Sequence, residues 1–563
     1  MPVSAQHSQR LSDLERIKSE FGGDLAARKR ELIASLATAR FATPRALARF
    51  HDVLCYLRAY PDDRAVLDEV ERTLGRFGSR RDLARHRTQL ADTGIAGTDI
   101  YFRFFQPTAD YLARRHPAAL HIDWAEFDEK ERLERLLSLL VLYAETPGLD
   151  EELFDARGWL ERMKSASETD AVFLIRRFAA LAVDEFVRER MFEELDVPIR
   201  LRAGPNTPSR TRALHRRAPV VFQTTPLRRE RPDLARELAR PPRSIRAVSE
   251  SEGAALVDLA REAMITRSRD LDAFAHGDAR DVRRIDGGDG LEFACIGVRP
   301  ERRLLLEAVY GFLTLKNGVP IGYVLASALF NSCEVAYNVF ETFRGGEAAH
   351  VYGRVLAMLR ALFAADTFTV YPYQLGSHNE EGLRSGAFWF YRKLGFRPRD
   401  QEVLAVLRRE ETRMRRDRKH RSDRATLVQL AAENVYWSKS RAREDVIGVF
   451  PLGAIGLAIT DSLAARFGAD RERGQRVACE EAARLLGEPR WRRLPSGERL
   501  AWERWSPLVL ILPGIERWSS SERRELARVV RAKGARRESE FTILFDRHRK
   551  LRRALRELAA REA

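Results

Sequence analysis

The run Leu304–Glu341, "LLLEAVYGFLTLKNGVPIGYVLASALFNSCEVAYNVFE", decides the fold. Two apolar stretches rich in β-branched and aromatic residues flank Lys316-Asn317-Gly318. Asn-Gly is a strong hairpin signal, because both residues accept the left-handed backbone that a two-residue turn needs. After a polar break at Asn331-Ser332 the sequence alternates. Cys333, Val335, Tyr337 and Val339 take one side of a strand, and Glu334, Ala336, Asn338 and Phe340 take the other. The pattern predicts three consecutive antiparallel strands near 308–315, 320–329 and 333–340.

Upstream, "SIRAVSESEGAALVDLAREAM" reads as a strand and a helix, and "LEFACIGV" as a strand after the turn "DGGDG". Downstream, the glycine loop "TFRGGEAAH" opens an amphipathic helix with Val351, Val355, Leu356, Leu359 and Leu362 on one face. "TFTVYPY" reads as another strand, "AFWFYRKLGFRP" as a short aromatic segment stopped by glycine and proline, and "EVLAVL" as a last strand. These elements define an α/β domain over residues 244–407.

The flanks differ from it. Residues 1–197 carry helical spacing, as in Leu47, Phe50, Val53, Leu54 and Leu57, with acidic residues opening several segments. Residues 198–243 are a Pro/Arg-rich linker, in which proline repeatedly interrupts regular structure and "PVVFQTTPL" is a candidate edge strand. Residues 408–563 are helical and strongly charged, with a serine N-cap signal at "SSSERRELARVV". No fixed-period repeat is present.

Composition bounds the function. The chain has 563 residues, too many for one core, and 44% hydrophobic content, as in globular proteins. The longest apolar stretch, "VIGVFPLGAIGLAIT", is shorter than a bilayer span, and the start has no apolar core after its charges, so a cytoplasmic protein with no membrane partner is expected. Four scattered cysteines and no CxxC pair read as reduced thiols. His86, His116 and His121 lack ligand spacing, so no metal is expected. The net charge of +16 suits a polyanion. However, arginine far outnumbers lysine, as in GC-rich coding, and the most basic run, "RREETRMRRDRKHRSDR", has no aromatic residues on which bases stack. Nucleic-acid binding is therefore kept only as an alternative. Walker, HExxH, GxSxG and EF-hand patterns are missing.

The order of elements over 244–407 resembles the GNAT acetyltransferase superfamily, on two local matches. "FRGGEAA" stands where that family has its Arg/Gln-x-x-Gly-x-Gly/Ala loop, and "AFWFYRKLGFRP" where it has an Ala-x-x-hydrophobic-Tyr segment before Lys-x-Gly-Phe. The resemblance implies a mixed GNAT-like sheet and acetyl-CoA, or another acyl-CoA, as cosubstrate. Arg344, Gly345, Gly346, Glu347, Ala348 and Ala349 would hold the pyrophosphate at a helix N-terminus. The backbone N–H of Val339 would polarise the thioester carbonyl. Tyr391 would protonate the leaving thiolate, with Glu334 or Glu341 as base and Tyr371, Tyr373 and Asn379 toward the acceptor, an amine on a small molecule or protein. Two departures stand out: Glu347 occupies the place of the family's central glycine, and Arg384 that of an asparagine before Ala387. A noncatalytic GNAT-derived scaffold is the rival reading.

Overall fold

A computed structural model describes residues 3–562. The chain is mixed α/β, with one large mixed sheet and helical flanks. A small antiparallel sheet has the order β1 (Ile100–Phe102), β3 (Ile199–Leu201), β2 (Leu120–Ile122). The large sheet holds β4 (Ser244–Ala247), β5 (Gly277–Gly288), β6 (Leu291–Val298), β7 (Ala308–Lys316), β8 (Val319–Leu329) and β9 (Ser332–Val339). Beyond β9 come β10 (Thr367–Val370), β11 (Arg397–Pro398) and β12 (Val435–Ser438), in the spatial order 4-5-6-7-8-9-10-12-11.

The expected meander of β7, β8 and β9 forms, each strand antiparallel to the next. Asn317 and Gly318 both have positive φ, 50° and 79°, as the turn requires. Asn317 also ties distant segments together. Its Nδ2 donates to the carbonyls of Ala59 and Val221, and its Oδ1 accepts from the Val221 N–H at 2.9 Å. At the opposite tip Phe330 and Asn331 also have positive φ, 50° and 55°. A phenylalanine rarely tolerates that backbone. Here its ring is buried between Phe450 and Phe545, and Arg552 donates to its carbonyl.

Four readings change. β5 carries Arg280, Asp281, Arg283 and Arg284, which hide its strand character, yet it pairs with both β4 and β6. "EVLAVL" is not a strand but the start of the helix Gln401–Arg416. Asp400 caps it by accepting from the Val403 N–H, and Val403, Leu407 and Glu410 are buried at helical spacing. The strand beside β10 is instead β12, with β11 at the edge beyond it, so the sheet runs past residue 407. "PVVFQTTPL" forms no strand; residues 202–243 are an ordered strap whose His215 N–H bonds to the Gly318 carbonyl and whose Gln223 N–H bonds to that of Pro61.

Residues 1–197 divide by packing. The first helices share one core with the sheet, led by Pro44–Ala59, in which all five residues read as apolar are buried. Residues 100–201 form a separate core on the small sheet. The C-terminal helices build a third core, which takes in Leu306, Ala308, Leu329 and Phe330 from the large sheet. Ser519 caps its helix Ser520–Gly534 in a capping box with Glu522, as the sequence signals. Among the described residues no helix is long and apolar enough to cross a membrane.

Candidate functional site

Several of the candidate residues lie along β9 and at the start of the helix that follows it. This strand is parallel to β10, with Ser332, Cys333 and Glu334 opposite Thr367, Phe368 and Thr369. β10 ends at Val370, while β9 continues to Val339 with no partner on that side. Because the Phe340 N–H bonds back to the Ile321 carbonyl on β8, alternation turns the Val339 amide toward the uncovered edge. The Val339 carbonyl there accepts from Arg344 Nε at 3.1 Å.

The helix Ala348–Phe363 crosses from β9 to β10, and its first turn opens beside this edge. Among the described residues no acceptor meets the N–H groups of Ala348, Ala349 and His350. Gly345 has φ of 81° and open space where a side chain would stand. Tyr56, from the helix Pro44–Ala59, brings its hydroxyl beside Gly346, where it is buried without a partner. Lys18 lies over the Tyr56 ring at 5.2 Å. Glu347 does not face this turn. Its side chain is buried, pairs with Lys316 at 3.4 Å and accepts from the Arg228 N–H at 3.2 Å. Repulsion between this carboxylate and an anion at the helix end is thus partly cancelled by the Lys316 ammonium. Arg344 is drawn away to an ion pair with Glu381.

On the helix-facing side of β9, aromatic rings pack together. Tyr337 packs on Tyr352 at 5.2 Å, Tyr352 on Tyr391 at 5.5 Å, and Tyr391 on Phe396 at 5.9 Å. Burial raises the Tyr391 phenol far above its ordinary value, so it stays protonated. The Tyr337 hydroxyl donates to the Ala348 carbonyl at 3.2 Å, and the Tyr352 hydroxyl is buried with no partner.

Glu334 sits on the other side. Burial, with Glu307 nearby, pushes its carboxyl up to about 7. Tyr371, close to both, is pushed up to about 12 by burial and by those two carboxylates. The remaining candidates are dispersed. Tyr373 is exposed, and Asn379 is a helix cap, its Oδ1 accepting from Gly382 and its Nδ2 donating to the Tyr373 carbonyl. Glu341 is exposed at the rim of a cavity of about 350 Å³ that also takes in Asn338, Arg267 and Arg344. Sequence reasoning missed Tyr56, Glu307 and Arg267, none of which belongs to a motif.

Two other clusters of polar side chains lie outside the large sheet. A cavity of about 540 Å³ lies on the small sheet, but Arg200 is paired with Asp99, Lys164 with Glu161, and Trp124 with Asp170. Glu185, Glu189 and His276 stand close enough to hold a cation. Arg302 already pairs with Glu189 at 2.5 Å and Arg299 with Glu185 at 2.6 Å, so the cluster is a neutralised seam between two units.

Comparison of the chain with protein-family models, with curated proteins and with solved structures found no match.

Proposed function

We propose that residues 244–438 form a GNAT-like domain that transfers an acyl group from acyl-CoA to an amine. The observation that carries this reading is the parallel pair β9–β10, which parts after Glu334 beside the open first turn of its own crossover helix. An extended pantetheine arm can complete an uncovered strand edge with its amide groups, and free N–H groups at a helix end suit its diphosphate. Tyr56 adds a donor at that end, and the Lys316 ammonium offsets the Glu347 carboxylate.

In this reading the acceptor amine attacks the thioester carbonyl on the Glu334 side of β9. The C–N bond forms, the C–S bond breaks, and the ammonium proton passes to the Glu334 carboxylate. A carboxyl near 7 is well matched to that task at neutral pH. The Val339 N–H would stabilise the oxyanion, and the protonated Tyr391 phenol would return a proton to the departing thiolate. Titration calorimetry of the full chain with acetyl-CoA tests the reading; saturable binding is expected.

A second reading, a GNAT-derived scaffold, is favoured by one feature. Tyr60, Phe343 and Tyr337 wall a narrow cleft at the same helix end, with Tyr56 stacked on Tyr60 at 5.0 Å. Calorimetric silence toward acetyl-CoA at millimolar concentration would select it.

A further inference from the structure

The cavity of about 350 Å³ beside the end of β9 has a charge pattern that the site above leaves unused. Most of its cations are reciprocated. Arg210 pairs with Asp52 at 3.0 Å, and Arg269 donates to the Tyr323 hydroxyl at 2.9 Å and reaches Glu381 at 3.5 Å. Arg344 takes the same Glu381. Arg267 differs. One of its nitrogens donates to the Ala263 carbonyl at 2.8 Å and to the Thr266 hydroxyl at 3.2 Å, and its guanidinium stacks on Phe340 at 3.6 Å. Among the described residues no carboxylate lies within 4.0 Å of it. Burial, and then Arg210, pull its pKa well below the ordinary arginine value, with Cys55 and Asp52 opposing. Its side chain lines the cavity.

The same cavity holds unmatched acceptors. Glu341 has no cation within 4.0 Å among the described residues, and the Asn338 Oδ1 is buried with no donor. An inorganic anion would satisfy Arg267 and leave these two facing it. A ligand with both charges satisfies all three. The volume is that of a small-molecule site.

We propose that this cavity binds a small zwitterion of the amino-acid kind, its carboxylate on Arg267 and its ammonium toward Glu341 and Asn338. Asn338 and Glu334 project to the same side of β9, so the bound amine would be the acyl acceptor; that role, unlike the binding itself, rests on the acyl-transfer reading.

The test is thermal stabilisation of the full chain by each of the twenty L-amino acids, without acyl-CoA. At least one should raise the melting temperature in a saturable way. Its decarboxylated amine and its deaminated acid should each bind at least tenfold more weakly. Arg267→Gln should weaken binding of the intact amino acid tenfold or more. Glu341→Gln, a change at an exposed side chain that leaves folding intact, should weaken it severalfold. The proposal fails if no amino acid stabilises the wild type, if the deaminated acid binds as well as the amino acid, or if binding survives both substitutions unchanged. The two readings separate cleanly. Amino-acid binding without acetyl-CoA binding keeps the site and removes the acceptor role, and the reverse result removes the site and keeps acyl transfer.

Discussion

Two regions bury charge against the same sheet, and they do so in opposite ways. Where the C-terminal helices meet β5 and β7, charges are matched. Lys533 and Glu538, both essentially inaccessible, pair at 2.6 Å, and Lys533 also donates to the Glu307 carbonyl at 2.7 Å. Arg303 donates to the carbonyls of Val298, Lys533 and Ala535, and the Tyr310 hydroxyl to Asp281 at 2.6 Å while accepting from the Ser539 N–H. Beside the end of β9, the half-buried Arg267 stacks on Phe340 and, among the described residues, has no carboxylate within 4.0 Å. Burying a charge is costly unless a counter-charge is held against it. The matched seam therefore reads as architecture, and the unmatched cavity as a place that a ligand completes.

The largest effect should appear in the matched seam. Lys533→Met leaves the buried Glu538 only the more distant Arg303, at 3.9 Å, and should cost about 3–5 kcal/mol in urea unfolding. The double change Lys533→Met with Glu538→Leu should recover most of that loss, because it removes the stranded charge as well. A single variant with an unshifted midpoint would show that the pair contributes nothing to the seam, and the contrast between the two regions would collapse.

Next comes the reacting side of β9. If acyl transfer occurs there, kcat/KM of the wild type should rise as pH passes through about 7, since the base acts only when ionised and Glu334 is held near that value. Glu334→Gln should lower turnover by about 10²-fold or more and abolish that limb, with acetyl-CoA affinity nearly unchanged. Tyr391→Phe should also lower turnover with little change in affinity. A Glu334→Gln enzyme that keeps both its rate and its pH profile would move the base elsewhere, with Glu341 the next to test.

How much of this was legible in the sequence follows from where the information is local. The β7–β9 meander was readable because Asn317-Gly318 fixes the turn and Cys333–Phe340 alternates without interruption. Glu334 was readable as a site candidate from the same alternation. β5 was not, because its arginines are matched by residues remote in sequence, such as Arg283 by Ser539 on a C-terminal helix. "EVLAVL" misled because a two-residue period and a helical face coexist in it, and the Asp400 cap decides between them. The three-residue strands β1, β2 and β3 are too short to show any period. Arg267 carries no local signal at all among the many arginines. Only the fold shows that, among the described residues, it is the one arginine of its cavity without a carboxylate partner.

A smaller effect distinguishes the C-terminal seam by pH. Asp546 accepts from the Asn331 N–H at 3.0 Å, and burial pushes its carboxyl from the ordinary 3.8 up to about 7. A raised acid pKa means that the folded chain holds a proton which the unfolded chain has released. Its contribution is complete below the ordinary value and is lost as pH climbs to about 7. Wild-type stability should therefore fall over that interval relative to Asp546→Asn and run parallel to it above. Melting curves of both proteins across the window check this, and parallel curves throughout would place Asp546 outside the linkage.

The smallest effect is the most discriminating. Arg267→Met removes a half-buried cation that, among the described residues, has no carboxylate partner to strand. What is lost is one hydrogen-bonding nitrogen and a stacked guanidinium, of which methionine replaces part of the contact with Phe340. What is gained is relief from desolvation and from repulsion by Arg210 and Arg269. These terms oppose each other, so the ligand-free protein should change by about 1 kcal/mol or less, with stabilisation as admissible as loss. The neutral outcome is informative because it contrasts with Lys533→Met, which deletes a more deeply buried and paired cation from the other region. Urea unfolding of both variants under the same conditions gives the comparison directly. A loss from Arg267→Met as large as that from Lys533→Met would mean that Arg267 is fixed by the fold itself, and the difference between the two regions would then be one of geometry rather than of purpose.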